Sequence, residues 1–577
     1  MNKEKINPEV TQGNINALTT FFKKWFIEIP KAVWNHIVRN FWLYITIIGL
    51  TIGGYFFNVL IGLTGSWQNA SWTLFGITSL TGVLWLWKID AVATTFRHIK
   101  MYLKWYFLAT AIFLLALYIF EGAFIHEYIM KLREYSFVVF FIPVIIFSFK
   151  WLIKKETDTW LGKTVVVSLA FIVTGTIASY LYFGGQQYLA QYFKYNELKD
   201  KIVYLDNRPE SVSERVFPRD VYRSILDQMI KGTNQFSNPD LVMDHGRAKF
   251  YSTVAPLTKI SKFIKGEIPE VAEIPADDAN IPSNITMRVS FSVGEKMPWS
   301  RDINNYVVKS LYWRYFNVFP TNTQVMKNDK GKFVLVTSLA RWKGYFFPTP
   351  EFYGVAITEQ GNIDWPTRVL FGKAEIIKKD EFKSHKWLLG QNLNSEISTR
   401  YAAESLRFRN GFLAPLTHDG DVIVTDMPGD RNEFPLVTAF DINGTKKLYD
   451  FYELKSYKKK SGKADLYIFF PSDGQGNVYS YLSKATTISE LSNKVSKEIE
   501  SNSKNKFKFA EPRPFFKKGL PDLFIVSMVL KRSDGSFDPS GIKTYLINAD
   551  GVKNSYIEVP TYEKDKWETM ARKAFSH

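Results

Sequence analysis

The residues able to carry acid–base or metal chemistry are thinly spread along this chain. Seven histidines occur, at His36, His98, His126, His245, His385, His418 and His577. None forms HExxH or any close pair, so a zinc site on one helix or a Ser-His-Asp group has no local support. The densest polar cluster is THDGDVIVTDMPGDRNE, in which His418 is followed by Asp419, Asp421, Asp426 and Asp430. Carboxylates at such density can coordinate Ca²⁺. The spacing within 419–433 matches no EF-hand loop, however, and Asp-Gly turns between strands account for the same residues. Asp244–His245–Gly246 allows the same two readings. No GxxxxGK[ST] or GxGxxG follows a strand, so there is no signature of a phosphate cradle. The absence of cysteine excludes thiol catalysis, iron–sulfur clusters, Cys-type zinc sites and disulfides. The expectation is a protein that is not an enzyme, with no catalytic, cofactor-binding or metal-ligating residue to name and no cofactor.

Features suited to binding are more frequent. Lys455–Lys463, KSYKKKSGK, is the sharpest basic run and suits either contact with an anionic polymer or an exposed hairpin loop. Trp299, Trp313, Trp342, Tyr345, Phe346, Phe347, Phe352 and Tyr353 form an aromatic-rich region. Such residues serve as core and sheet-face packing, although GYFFPTP becomes a recognition loop if it stands proud of a sheet. The net charge is +17, with 16 basic and 9 acidic residues up to Phe193. The rest of the surplus is diluted over a long region, and no block resembles a nucleic-acid patch, so no nucleic acid is expected as a partner.

The elements that must position these residues fall into two parts. Residues 41–63, 69–87, 103–120 and 164–183 are apolar runs whose lengths predict membrane-spanning helices. Residues 136–149, only 14 long with Pro143 inside, are either re-entrant or buried or, extended past Lys150 to 153, the fourth of five spans, the reading that the charge alternation supports. Lys and Arg in the flanking segments alternate 6, 0, 4, 2, 4, which predicts a cytoplasmic N-terminus and an extracytoplasmic remainder. Residues 15–38 read as an amphipathic helix at the cytoplasmic interface, bent at Pro30, or docked on a cytoplasmic partner. Gly49, Gly53 and Gly54 give a small-residue face that could pack helices within one chain or in a homo-oligomer. No cleavable signal pattern is present, so the first span serves as an uncleaved anchor.

From Tyr195 the chain turns polar and rich in turns. PRDVYRSILDQMI predicts a helix, 248–254 a strand, 266–282 a surface loop, and the alternation Ile285, Met287, Val289, Phe291, Val293 a half-buried strand. Helices are predicted over Ile303–Phe316 and Ser395–Leu406, and another from Ile488, Leu491, Val495 and Ile499. Extended segments are predicted over Phe412–Leu416 and Val422–Thr425. Paired strands follow around Asn443–Gly444, Asp473–Gly474 and Asp534–Gly535, where the glycine pairs supply the positive φ of tight hairpins.

The runs PRDVYRSILDQMI, VSFSVGEKMPWSRDI and LYWRYFNVFPTNTQVMKNDKGKFVLVTSLARWKGYFFPTPEFYGVAIT resemble multi-pass membrane proteins of prokaryotes and their viruses whose outer parts carry cystatin-like, PepSY-like units. The resemblance covers about 215–363 and implies binding rather than catalysis. The expected fold class is an α-helical membrane bundle of five spans followed by a soluble α+β region of repeated helix-on-antiparallel-sheet units. Its parts would be a cytoplasmic segment 1–40, the bundle 41–186, a first extracytoplasmic region 187–375 and further repeats over 376–577. The expected function is a cell-membrane protein presenting a large domain to other proteins, with the lipid bilayer as its other partner. The alternatives are an oligomeric channel or envelope-remodelling component, and an envelope-acting enzyme.

Overall fold

The computed structural model describes His126 and, with short interruptions, residues 185–575. The five predicted spans and the interfacial helix over 15–38 lie outside the described residues. What is described corrects the expected fold class and the multi-pass membrane location. The interpretable region is 43% strand, arranged in several sheets with few helices. Among the described residues no helix is long and apolar enough to cross a membrane. The longest described helix, α1 (Gln187–Leu198), has 12 residues, or about 18 Å at 1.5 Å per residue, against the roughly 30 Å of a hydrocarbon core. Its sequence, QYLAQYFKYNEL, is also polar on several sides. A five-span helical bundle is therefore not shown.

Four sheets carry the described fold. The first to form along the chain joins β3 (Asn234–Phe236), β4 (Asp240–Asp244), β5 (Arg247–Pro256), β6 (Ile268–Pro275) and β7 (Thr286–Phe291), after helix α2 (Arg219–Met229). Helix α3 (Ile303–Leu311) precedes the meander β8 (Val318–Lys327), β9 (Phe333–Lys343), β10 (Thr349–Thr358) and β11 (Glu375–Lys378). Helix α4 (Glu396–Ser405) and the short α5 (Ala414–Thr417) precede β12 (Val422–Val424), β13 (Leu436–Ile442), β14 (Thr445–Ser456), β15 (Ala464–Pro471) and β16 (Val478–Leu482). The last meander is β17 (Phe507–Pro514), β18 (Leu523–Lys531), β19 (Phe537–Asn548) and β20 (Tyr556–Val559), and α6 (Asp565–Phe575) follows it. Two early strands belong to a late sheet: β1 (Ile202–Leu205) pairs in parallel with β16, and β2 (Glu210–Ser211) pairs with β13.

The cores form between sheets. Val221, Tyr222 and Leu226 of α2 pack with Phe250 and Ile274 of the first sheet, and also with Ile525 and Leu546 of the last and with Trp567 of α6. Tyr251, Val271 and Phe291, from the first sheet, join α3 and the β8–β11 meander. Tyr452, Phe469 and Ala403 join Val526 and Ile547. Alternation along each strand supplies the two faces that these cores need. Two local expectations change. The predicted loop 266–282 contains β6, whose Ile268, Val271, Ala272 and Ile274 are buried. Phe412–Leu416, predicted extended, instead runs into the helical turn α5.

Candidate interaction site

The most unusual local geometry lies in the connection from β7 to α3. Two residues other than glycine there have positive φ, Lys296 at 58° and Trp299 at 52°. A side chain in that region costs roughly 1–2 kcal/mol, and such strain persists where the surroundings over-determine it. Here they do. Lys262 Nζ donates to the Lys296 carbonyl at 2.8 Å, and Asn305 Nδ2 donates to the Trp299 carbonyl at 3.0 Å. Gly294 accepts from Ile303 N at 3.1 Å and donates to the Arg301 carbonyl at 2.9 Å, closing the loop at its base. Asp302 Oδ1 then accepts from Asn304 N at 3.0 Å and Asn305 N at 3.2 Å, capping α3.

A second loop is tied to the first. Ser292 Oγ donates to the Gly361 carbonyl at 2.5 Å and accepts from Ile363 N at 3.2 Å, while Gly361 N donates to Ser290 O at 2.8 Å. Asp364 accepts from Thr367 N at 3.0 Å, and a wide turn, Thr367–Phe371, ends where Gly372 N donates to Thr367 O at 2.7 Å. Gly372 has φ +66°, and a Cβ there would lie 2.6 Å from the Tyr306 carbonyl. The glycine thus lets the turn lie directly on α3. The turn also packs against residues 299–301.

The result is a cluster of large apolar groups facing solvent: Trp365 is 61% exposed, Phe371 60%, Trp299 52% and Leu370 40%. Scattered exposed apolar residues are ordinary, whereas these four sit on two loops bonded to each other. Two arginines stand in the same loops. Arg301 Nη1 donates to the carbonyls of Gly266 and Ser292, and Arg368 Nη1 donates to Ile363 O at 3.3 Å. These guanidinium bonds go to backbone oxygens rather than to carboxylates. Burial lowers the pKa of both, and Arg368's charge lowers that of Arg301 further.

Two carboxyls are electrostatically linked here, Glu295 within the strained loop and Asp240 at the start of β4. Burial raises the pKa of both; the charge of Asp240 adds to the rise at Glu295, while Arg219, 3.2 Å from Asp240, opposes the rise there.

The residues singled out from the sequence fall elsewhere. His418 Nδ1 lies 3.1 Å from Asp421 Oδ2, which also accepts from Arg407 at 3.3 Å, and the imidazole stacks on Tyr457 at 4.0 Å. Asp419, Asp426 and Asp430 lie outside the described residues. Among the described residues no group of three or more His, Asp or Glu is placed to hold a metal ion. His245 and Gly246 form the tight turn from β4 to β5 with φ 49° and 81°. Asp244 turns back to Lys249 at 2.8 Å and Tyr251 at 3.0 Å, which gives it a structural role. His126 Nε2 donates to the Val318 carbonyl at 2.6 Å. In the basic run, 458–461 lie outside the described residues, as do Tyr345, Phe346 and Trp313. Phe347 meets Phe193 at 5.4 Å, Trp342 stacks over Phe319, and Phe352 and Tyr353 are buried.

Sequence reasoning picked out Trp299 and passed over Trp365, Leu370, Phe371, Arg301 and Arg368. The available signal was WPTRVLFGK itself, in which bulky apolar residues sit between a proline and a glycine and leave no strand or helix long enough to bury them. No family model matches the chain, and no curated protein matches it.

Proposed function

We propose that the described region is a non-catalytic binding module that docks another protein on the Trp299–Trp365–Phe371 surface. The observation that carries this reading is the pairing of exposed tryptophans with half-buried arginines on two loops bonded to each other. Tryptophan and arginine dominate the energetics of protein contacts, and a surface ordered in advance loses little entropy on binding. The expected partner presents an apolar side chain flanked by carboxylates, which complement Arg301 and Arg368.

Site-specific photocrosslinking tests this reading in the full chain. A benzophenone amino acid at position 365 should capture one partner protein, whereas the same group at position 204, where Tyr204 is 62% exposed in β1, should capture none. Against the purified partner, Trp365→Ala should weaken binding by about 30-fold or more, the scale of an interface hot spot. Equal capture from both positions, or unchanged affinity, overturns the proposal. Capture of a second copy of this chain alone would replace the partner with self-association.

A further inference from the structure

A second group of exposed apolar residues surrounds the short helix α5. Leu416 is 65% exposed and Leu413 60%, and Phe412 beside them is also exposed. The backbone that carries them is tied down. Ala414 N donates to the Gly411 carbonyl at 3.2 Å and Thr417 N to that of Leu413 at 3.1 Å, while the Tyr188 hydroxyl of α1 donates to the Phe412 carbonyl. The rings of Tyr188 and Tyr192 meet those of Phe408 and Phe412 edge-on at 4.8–5.6 Å, and the two leucines stay in solvent.

The chain joins this group to the basic run. His418, two residues past Leu416, stacks on the exposed Tyr457 with ring centroids 4.0 Å apart. Tyr457 N donates to the Asp421 carbonyl at 2.9 Å, so the base of the β14–β15 hairpin is bonded to the connection that leaves α5. The hairpin reads KSYKKKSGK over 455–463, five lysines and no acidic residue. Two carboxylates beside it are already engaged: buried Asp421 by Arg407 at 3.3 Å and His418 at 3.1 Å, and Asp465 by Arg409 at 3.6 Å.

The residue types separate a lipid partner from a protein one. Leucine is under-represented among protein hot spots, and lysine is depleted where proteins meet. A membrane surface takes both: leucine and phenylalanine enter the boundary between headgroups and acyl chains, tyrosine sits at headgroup level, and lysines face anionic headgroups. We propose that the α5 turn and the 455–463 hairpin together dock on an anionic lipid surface. The contact is made from one side, with Leu413, Leu416 and Phe412 entering the headgroup layer and the lysines supplying the attraction. The four residues of α5 do not cross the layer.

The chain has no cysteine, so a single one introduced into the full-length protein carries an environment-sensitive fluorophore at one known place. Attached at Leu416→Cys, its emission should shift to the blue when vesicles of phosphatidylcholine mixed with phosphatidylserine are added, and not with phosphatidylcholine alone. Attached at Tyr562→Cys, which is also exposed, it should respond to neither. Comparing the two positions isolates this contact from any lipid contact made elsewhere in the chain. High salt, or Lys458→Gln, Lys459→Gln and Lys460→Gln together, should remove most of the shift, because the attraction acts within a Debye length. No shift at 416, equal shifts at both positions, or the same shift with both kinds of vesicle overturns the proposal. A shift at 416 produced by polyglutamate and not by vesicles also overturns it, and assigns the surface to an acidic polypeptide.

Discussion

Three carboxyl groups in this protein have their pKa shifted in opposite directions, upward at Asp450 and Glu453 and downward at Glu511, and the difference between their surroundings explains why. Asp450, in the middle of β14, is 1% exposed, and burial raises its pKa from 3.8 to about 7 although Ser472 Oγ donates to it at 2.5 Å. Its neighbour Glu453 is raised from 4.5 to about 8 by burial, against the Ile488 amide that bonds both its oxygens at 3.1 Å. Glu511, in β17, also pays for burial, yet its pKa lies below 4.5 because Arg215 and Arg513 outweigh that effect. Arg215 grips it with two bonds, at 2.7 and 3.3 Å, and the Arg219 amide donates to it at 2.9 Å where α2 begins. At Asp450 and Glu453 neutral donors only soften the effect of burial, whereas at Glu511 two guanidinium groups together with the Arg219 amide reverse it.

Removing the cation's counterpart should give the largest effect. Glu511→Ala leaves two arginines buried together, and chemical denaturation should show a loss of about 3–5 kcal/mol; a loss below 1 kcal/mol would mean that water reaches the pair. The next effect is on pH. Between about pH 4.5 and 8 the folded chain keeps protons on Asp450 and Glu453 that the unfolded chain has released, so stability should fall as pH rises through that window. Each group contributes a slope of up to about 1.4 kcal/mol per pH unit. Below pH 4.5 Glu511 acts in the other direction, and stability should be lost as its carboxylate is protonated. Urea titrations from about pH 2 to pH 9 check both limbs, and a flat profile would sink the assignment. Smaller still, Asp450→Asn should change stability at pH 7 by less than about 1 kcal/mol, because asparagine resembles the protonated acid, and it should flatten part of the pH slope. The smallest effect is expected where charges lie near water. Lys249, Lys327, Asp244 and Glu273 form a network with distances of 2.6–3.7 Å and side chains 12–26% exposed. Lys249→Gln should cost about 1 kcal/mol or less and lose part of that in high salt.

Local order was legible where the sequence carried its own geometry. Asn443–Gly444, with φ of 54° and 78°, turns β13 into β14 as the dipeptide demands. The apolar spacing of Ile488, Leu491 and Val495 places all three in a core. Ile303–Leu311 is helical as predicted, and 312–314 lie outside the described residues. Strand β6 was hidden because Pro269, Pro275 and the glutamates gave it a loop's composition, while its burial depends on β5 and β7 on either side. The proposed binding surface was hidden for a related reason. Trp365 and Phe371 are conspicuous only once the fold shows that neither reaches a core, and Arg301 and Arg368 only once their loops are joined. The charge pairs that set Glu511 apart link residues about 300 positions away from one another, beyond any local pattern.

That long reach has a kinetic consequence. Ser211 and Phe516 are 305 residues apart yet bonded to each other, and β1 must wait for β16 before it has a neighbour. Folds dominated by such distant pairings assemble slowly and expose unpaired strand edges while they wait. During synthesis the segment around 202–211 emerges before its sheet and stays without it until about three quarters of the described chain has been made. A chaperone that shields that segment should therefore raise the yield of native protein more than one acting on the last meander, whose strands meet their neighbours soon after they appear.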